Sequence, residues 1–291
     1  MAEHFADKLL AAIARAGSPV CVGLDPRVER LPEGLRGGAP VEAVRSYGLS
    51  VLDAVAGIVP AVKPQIACFE ALGPGGYALY FELVRAARER GLLVIGDVKR
   101  GDIGSSAEMY ARAHLAAEDA PDAITVNSYL GTDGIEPFVA AGAERGKGVF
   151  ALVRTSNPSG GQVQDLADAD GRRVYESVAA SVAAAGADER LVGGNGYSAL
   201  GAVVGATYPD EARRLREIMP RQLFLVPGYG AQGASAADCA ASFRPDGTGA
   251  IVNASRSVIY AFERDASRPW RDAVADAARA FAADIAGSVG S

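Results

Sequence analysis

The stretch Ile95-Gly96-Asp97-Val98-Lys99-Arg100-Gly101-Asp102-Ile103-Gly104-Ser105 follows directly on the apolar residues Leu92-Leu93-Val94. An apolar run opened by Gly91 and closed by charge reads as a buried parallel strand, here 92–97. Side chains alternate along a strand, so Asp97 and Lys99 are predicted to share one face at its end. A second carboxylate, Asp102, lies just beyond on the turn. Charges are costly to bury without partners. An array this dense at a strand tip points to chemistry more than to packing.

The same strand-like signal recurs along the chain. Apolar runs fall at 19–24, 61–64, 92–97, 123–127, 148–154, 202–206, 223–226 and 249–253. Helical spacings lie between them. Val41, Val44, Leu52, Val55 and Ile58 form one set; Leu79, Leu83 and Ala87, capped by Gly91, form another. Val174, Val178 and Val182 end at Gly186, and Trp270, Val274, Phe281 and Ile285 fit a final helix. Pro209-Asp210-Glu211 reads as a first helical turn, where the dipole favours acids. Phe5, Leu9, Leu10 and Ile13 predict an amphipathic N-terminal helix. Eight strands separated by helices predict an α/β fold, a single-domain (β/α)8 TIM barrel over 1–291. The alternative, a doubly wound open sheet, lacks a Gly-x-Gly-x-x-Gly after the first strand. Residues 156–173, rich in Gly, Asp and Ser, read as a long loop after the fifth strand.

Bulk properties narrow the function. The 291 residues are 49% hydrophobic, an ordinary globular composition. Twenty-nine Lys and Arg against 35 Asp and Glu give a net charge of −6, with no basic cluster of the kind a nucleic-acid binder carries. Cys21, Cys68 and Cys239 show neither metal-ligand spacing nor a disulfide framework, and only His4 and His114 are present. No apolar stretch approaches the ~18 residues of a membrane span. A cytoplasmic protein with no membrane partner is expected.

In a barrel the active site lies at the C-terminal strand ends. Those ends deliver Asp25, Lys63, Asp97 with Lys99, Asn127, Ser156, Thr207, Pro227 with Gln232, and Arg256. Asp25 can hold sugar hydroxyls or cap the Asp25-Pro26 turn. Lys63 needs a partner in its apolar strand, and Asp97 on the neighbouring strand is the natural one. Pro227-Gly228-Tyr229-Gly230-Ala231-Gln232-Gly233 and Asn253-Ala254-Ser255-Arg256-Ser257 follow the seventh and eighth strands, where barrels often bind phosphate. Glycine lets backbone N–H groups approach an anion, and Arg256 supplies a donor fork. Tyr229 reads equally as a lid residue or as packing.

With these pieces assembled, the chain resembles the orotidine 5′-phosphate decarboxylase family, in its longer microbial branch. The resemblance spans Val22-Gly23-Leu24-Asp25 to Arg256 and includes Val62-Lys63-Pro64, Asp97-Val98-Lys99-Arg100-Gly101-Asp102-Ile103 and Thr155-Ser156-Asn157-Pro158. It implies decarboxylation of orotidine 5′-phosphate without a cofactor or bound metal. Lys63, Asp97, Lys99 and Asp102 would form an alternating charge array. Asp102 would reach across a homodimer interface into the partner's site. Substrate contacts would come from Asp25, Ser106, Ser156, Pro227, Gln232 and Arg256, with Asp25 and Lys63 at the ribose, Ser156 at the pyrimidine and Gln232 and Arg256 at the phosphate. One departure is Ser105-Ser106, where many members carry Asn-Thr; Ser106 keeps the hydroxyl. Two rival readings share parts of the pattern. One is a metal-dependent sugar-phosphate decarboxylase or aldolase with the same Asp-x-Lys-x-x-Asp. The other is a catalytically silent nucleotide-phosphate binding protein, against which the intact Asp97/Lys99 pair speaks.

Overall fold

The eight strands of the computed structural model, which describes residues 3–265 and 267–289, are all parallel and close on themselves. They are β1 (Val20–Leu24), β2 (Ala61–Pro64), β3 (Leu93–Arg100), β4 (Ala123–Val126), β5 (Gly148–Arg154), β6 (Ser198–Val204), β7 (Gln222–Pro227) and β8 (Ala250–Ala254). Closure is made by β8 against β1, with Val20, Cys21 and Val22 opposite Val252, Asn253 and Ala254. The barrel, and not the open sheet, is therefore the fold.

Period-two alternation sorts the strand residues into two cores. In β1, Val20, Val22 and Leu24 pack outward under the helices, while Cys21 joins Ala61, Ile95, Ala123, Phe150, Leu223 and Ile251 inside the barrel. The outer ring follows its helical spacing. Helix Pro40–Val55 starts on a proline and buries Val44, Tyr47, Val51, Leu52 and Val55. Helix Pro74–Glu89 also starts on a proline, and Gly91 beyond its end sits at φ +73 in the left-handed region. The terminal helix Trp270–Val289 buries Val274, Phe281 and Ile285.

The N-terminal helix Phe5–Ala16 forms the floor of the barrel. Phe5 and Leu9 join the interior cluster, and the Phe5 ring meets Phe150 edge-on at 5.8 Å. Gly148 makes room for it, because a Cβ there would stand 2.2 Å from the Phe5 ring. The Asp7 carboxylate accepts the N–H groups of Gly194 (2.9 Å) and Asn195 (3.0 Å), pinning the helix to the turn before β6.

Three expectations need correction. β3 continues past Asp97 to Arg100, because Arg100 still pairs with Val126 beyond an irregularity in the ladder. β6 begins at Ser198, not 202. Ser198 and Gly201 interrupt its apolar run, yet both are buried. A Cβ at Gly201 would stand 2.5 Å from the Leu223 carbonyl oxygen. Finally, 156–173 is not a bare loop. It holds a 3-10 turn (Pro158–Gly160), a short helix (Gly161–Gln164) and an antiparallel bridge between Ala167 and Arg173. The bridge closes on Asp168, which accepts the N–H groups of Asp170 and Arg172.

Candidate active site

A cavity of about 480 Å³ opens at the C-terminal end of the barrel. Eight of the twelve expected site residues line it: Asp25, Lys63, Asp97, Lys99, Ser156, Pro227, Gln232 and Arg256. The strand ends bring them together from distant parts of the chain. Leu152, Val203 and Leu225 supply an apolar wall.

Asp97 is the centre of the polar cluster. Its Oδ2 accepts from Lys63 Nζ at 2.7 Å and from Gln65 Nε2 at 3.0 Å. Its Oδ1 accepts from Lys99 Nζ at 2.5 Å and from the Thr125 hydroxyl at 3.0 Å. The same hydroxyl accepts the backbone N–H of Lys99 at 3.0 Å. Burial opposes the charge on Asp97, but Lys63 and Lys99 outweigh it and hold the carboxyl well below the usual range. Burial likewise penalises the Lys63 ammonium, and the Asp97 and Asp25 carboxylates more than offset it, so its pKa is raised. The two lysines differ in access. The Lys63 side chain is 7% exposed and that of Lys99 46%. Lys63 is therefore the more enclosed counter-charge at the cavity wall, whereas Lys99 stands more open to a bound molecule.

Lys99 has φ +43, the only left-handed non-glycine residue among those described. Asp97 and Lys99 do meet on one face, at the cavity, as expected, but not along a regular strand. The strand is irregular between Gly96 and Arg100, and the left-handed Lys99, fixed by Thr125, makes the contact. Such strain persists where the surroundings over-determine it, commonly at functional sites.

At the far end, Gly228, Gly230 and Gly233 have φ +115, +67 and +94, conformations that leave the β7 loop free to wrap closely around a ligand. Gln232 on that loop and Arg256 after β8 both face the cavity. The Tyr229 hydroxyl donates to Asp284 at 2.6 Å and its ring stacks near Phe281, so Tyr229 anchors the loop to the terminal helix. Asp25 Oδ1 and Asn253 Oδ1 are buried without a protein partner, and both residues line the cavity. Buried polar atoms are nearly always hydrogen-bonded, so these two can take a partner from inside the cavity. The backbone carbonyl of Asp25 is held by the Tyr260 hydroxyl at 3.0 Å.

The remaining expected residues lie elsewhere. Asp102 and Ser106 line a separate groove with Arg100, Met109, Tyr110 and His114. Asn127 does not line the cavity, because its side chain turns back to accept the N–H of Tyr129, and Thr207 is not a lining residue either. Sequence reasoning missed Thr125 and Gln65, and named Asn253 only as part of the stretch after the eighth strand. The signal for Thr125 was available: it is a hydroxyl inside the apolar run Ala123-Ile124-Thr125-Val126, on the inward parity. Among the described residues, no group of three or more His, Cys, Asp and Glu stands close enough to hold a metal ion, and no helix is long and apolar enough to cross a membrane.

Comparison with known proteins identifies the lineage of this site. Residues 18–267 match the family described as orotidine 5′-phosphate decarboxylase / HUMPS. The chain belongs to the orotidine 5′-phosphate decarboxylase / HUMPS family. Within this family it is 45% identical to the orotidine 5′-phosphate decarboxylase of Rhodopirellula baltica, over 93% of this chain and 95% of that protein. It is 42% identical to that of Deinococcus radiodurans over the full length of both. The solved structure of Leishmania donovani OMP decarboxylase superposes with a TM-score of 0.78 at 32% identity, covering 99% of this chain and 100% of that one.

Proposed function

We propose that the chain decarboxylates orotidine 5′-phosphate to uridine 5′-phosphate and CO2, the last reaction of pyrimidine nucleotide synthesis, as one barrel domain. The observation that carries this reading is the Asp97 carboxylate held between two ammonium groups at the cavity, one mostly enclosed and one half exposed. Breaking the bond to CO2 leaves its electron pair on C6 of the pyrimidine. Lys99 stabilises that charge and delivers a proton from Nζ to C6; solvent then restores the proton on Nζ. Lys63 and Thr125 fix Asp97, and Asp97 fixes Lys99, so the cation is in place before the charge develops. Asp25 and Lys63 meet the ribose, and Ser156 meets the ring. Pro227, Gln232 and Arg256 surround the phosphate, far from the bond that breaks. Binding energy gathered there is realised in the transition state through closure of the flanking loops.

A second copy completes the site. Asp102 and Ser106 stand outside their own chain's cavity. Around them Ile103, Met109, Tyr110, Tyr129 and Leu130 are exposed, a cluster of apolar side chains at one edge of the barrel mouth. Pairing of two copies over this edge covers those side chains and carries Asp102 to the partner's Lys99. Three free cysteines fit a reducing, cytoplasmic setting.

The test is the fall in absorbance of orotidine 5′-phosphate with purified protein, with and without a chelator, and chromatographic identification of the product. Uridine 5′-phosphate formed at the same rate in both supports the reading. Loss of turnover on chelation favours the metal-dependent rival. Tight product binding with no turnover favours the silent binder.

A further inference from the structure

Arg154 ends β5, one residue before the segment that brings Thr155, Ser156 and Asn157 to the cavity. Its side chain is 2% exposed, so the charge needs partners on every side. The guanidinium donates to both carboxylate oxygens of Glu211, at 2.7 and 3.2 Å, on the helix that follows β6. Its remaining nitrogen pairs with Asp165 at 2.9 Å and reaches Gln164 Oε1 at 3.4 Å. The Tyr208 ring lies 4.2 Å from the guanidinium carbon.

Gln164 passes the constraint to the cavity wall. Its Oε1 accepts the Thr155 N–H at 3.1 Å, and its Nε2 donates to the Thr155 hydroxyl at 2.7 Å. That hydroxyl in turn donates to Asn157 at 2.6 Å. Ser156, between them, rests against Gly205, where a Cβ would stand 3.0 Å from the serine Cβ. A planar fork that satisfies two carboxylates and an amide at once is a geometry lysine cannot reproduce. Arg173 also approaches Glu211 and Asp165, but at 3.6 and 3.8 Å and half exposed, so it does not replace the buried fork.

We infer that Arg154 is a positioning residue: through Asp165, Gln164 and Glu211 it holds residues 155–165 in the shape that presents Ser156 to the substrate ring. The inference rests on the reading that Ser156 meets the pyrimidine. It assigns a role in the reaction to a side chain that touches no substrate.

The test uses Arg154→Met and Gln164→Ala, each alone and combined with Ser156→Ala, in the intact enzyme. Gln164 is only half-buried, so its variant keeps the experiment decisive if Arg154→Met fails to fold. Two readouts are taken. Amide hydrogen exchange over 155–165 should speed up about tenfold or more in both variants, with the barrel strands unchanged. For orotidine 5′-phosphate, kcat/KM should fall about ten- to hundredfold, as misplaced contact groups predict. Adding Ser156→Ala should then cost far less than it does in the wild-type background. Unchanged exchange over 155–165 overturns the inference, and so do double variants whose losses multiply. Wild-type turnover of Ser156→Ala alone is a different failure: it removes Ser156 from the ring, while the exchange data still decide whether Arg154 holds the segment.

Discussion

Lys99 carries two burdens, a left-handed backbone and the open ammonium of the site, and Thr125 serves both by binding its N–H and the Asp97 carboxylate that faces it. Lys99→Ala is expected to lower kcat by at least ~10⁴-fold, since proton delivery and charge stabilisation are lost together, with an unchanged circular dichroism spectrum. Turnover within tenfold of wild type in that variant would remove Lys99 from the chemistry. Thr125→Val keeps the shape of the side chain and deletes both hydrogen bonds. A buried group left unpaired costs on the order of 1–3 kcal/mol, so kcat should drop about 5- to 150-fold. Thr125→Ser should recover to within about threefold, because it restores the hydroxyl and loses only a methyl group. A valine variant as fast as wild type, measured under saturating substrate, would show that Thr125 merely fills space. The Asp-Lys pair itself was legible in the sequence, from a run of charge at an apolar strand end. The turn that joins it was not, because a positive φ at lysine leaves no mark in residue type.

The strand-end loops divide the labour of the site. β1, β2, β5 and β7 follow their apolar runs closely; the cations in two of them, Lys63 and Arg154, are paired with carboxylates and do not break the strand. β6 started late in the sequence reading because Ser198 and Gly201 look like loop residues; the serine hydroxyl is satisfied locally by the N–H of Leu200. The Asp165 and Glu211 partners of Arg154 were hidden for another reason. They lie 11 and 57 residues from it in sequence, separations that no local spacing rule connects. In the proposed function the loops after β7 and β8 hold the phosphate. Arg256→Ala should therefore reduce kcat/KM for orotidine 5′-phosphate about hundredfold or more, in line with loss of a charged hydrogen-bonded pair. Its effect on the slow turnover of orotidine, which has no phosphate, should be within about threefold. Equal damage to both substrates would move Arg256 from phosphate recognition to support of the fold or the ring.

For the whole molecule, the fold class followed from the order of its strands and the cavity from the polar groups at their ends, whereas the decarboxylation and the pairing of two copies were expectations of the family resemblance; in one chain Asp102 lines a groove separate from its own cavity. Mixing inactive Lys99→Ala and Asp102→Ala proteins should restore up to about one quarter of wild-type activity per total site once subunits exchange. In a mixed dimer one site then holds both native groups and the other neither, and random pairing makes half of all dimers mixed. Exchange shown by mass spectrometry with no recovered activity would place Asp102 in its own chain's site. The floor of the barrel has a different consequence, one that concerns synthesis. The seat of the N-terminal helix includes Asn195, which lies 188 residues after Asp7. At about 5–20 residues per second, translation takes roughly 10–40 s to supply that seat. The Phe5–Ala16 helix is thus made long before its seat, and through that interval Phe5 and Leu9 have no barrel to enter.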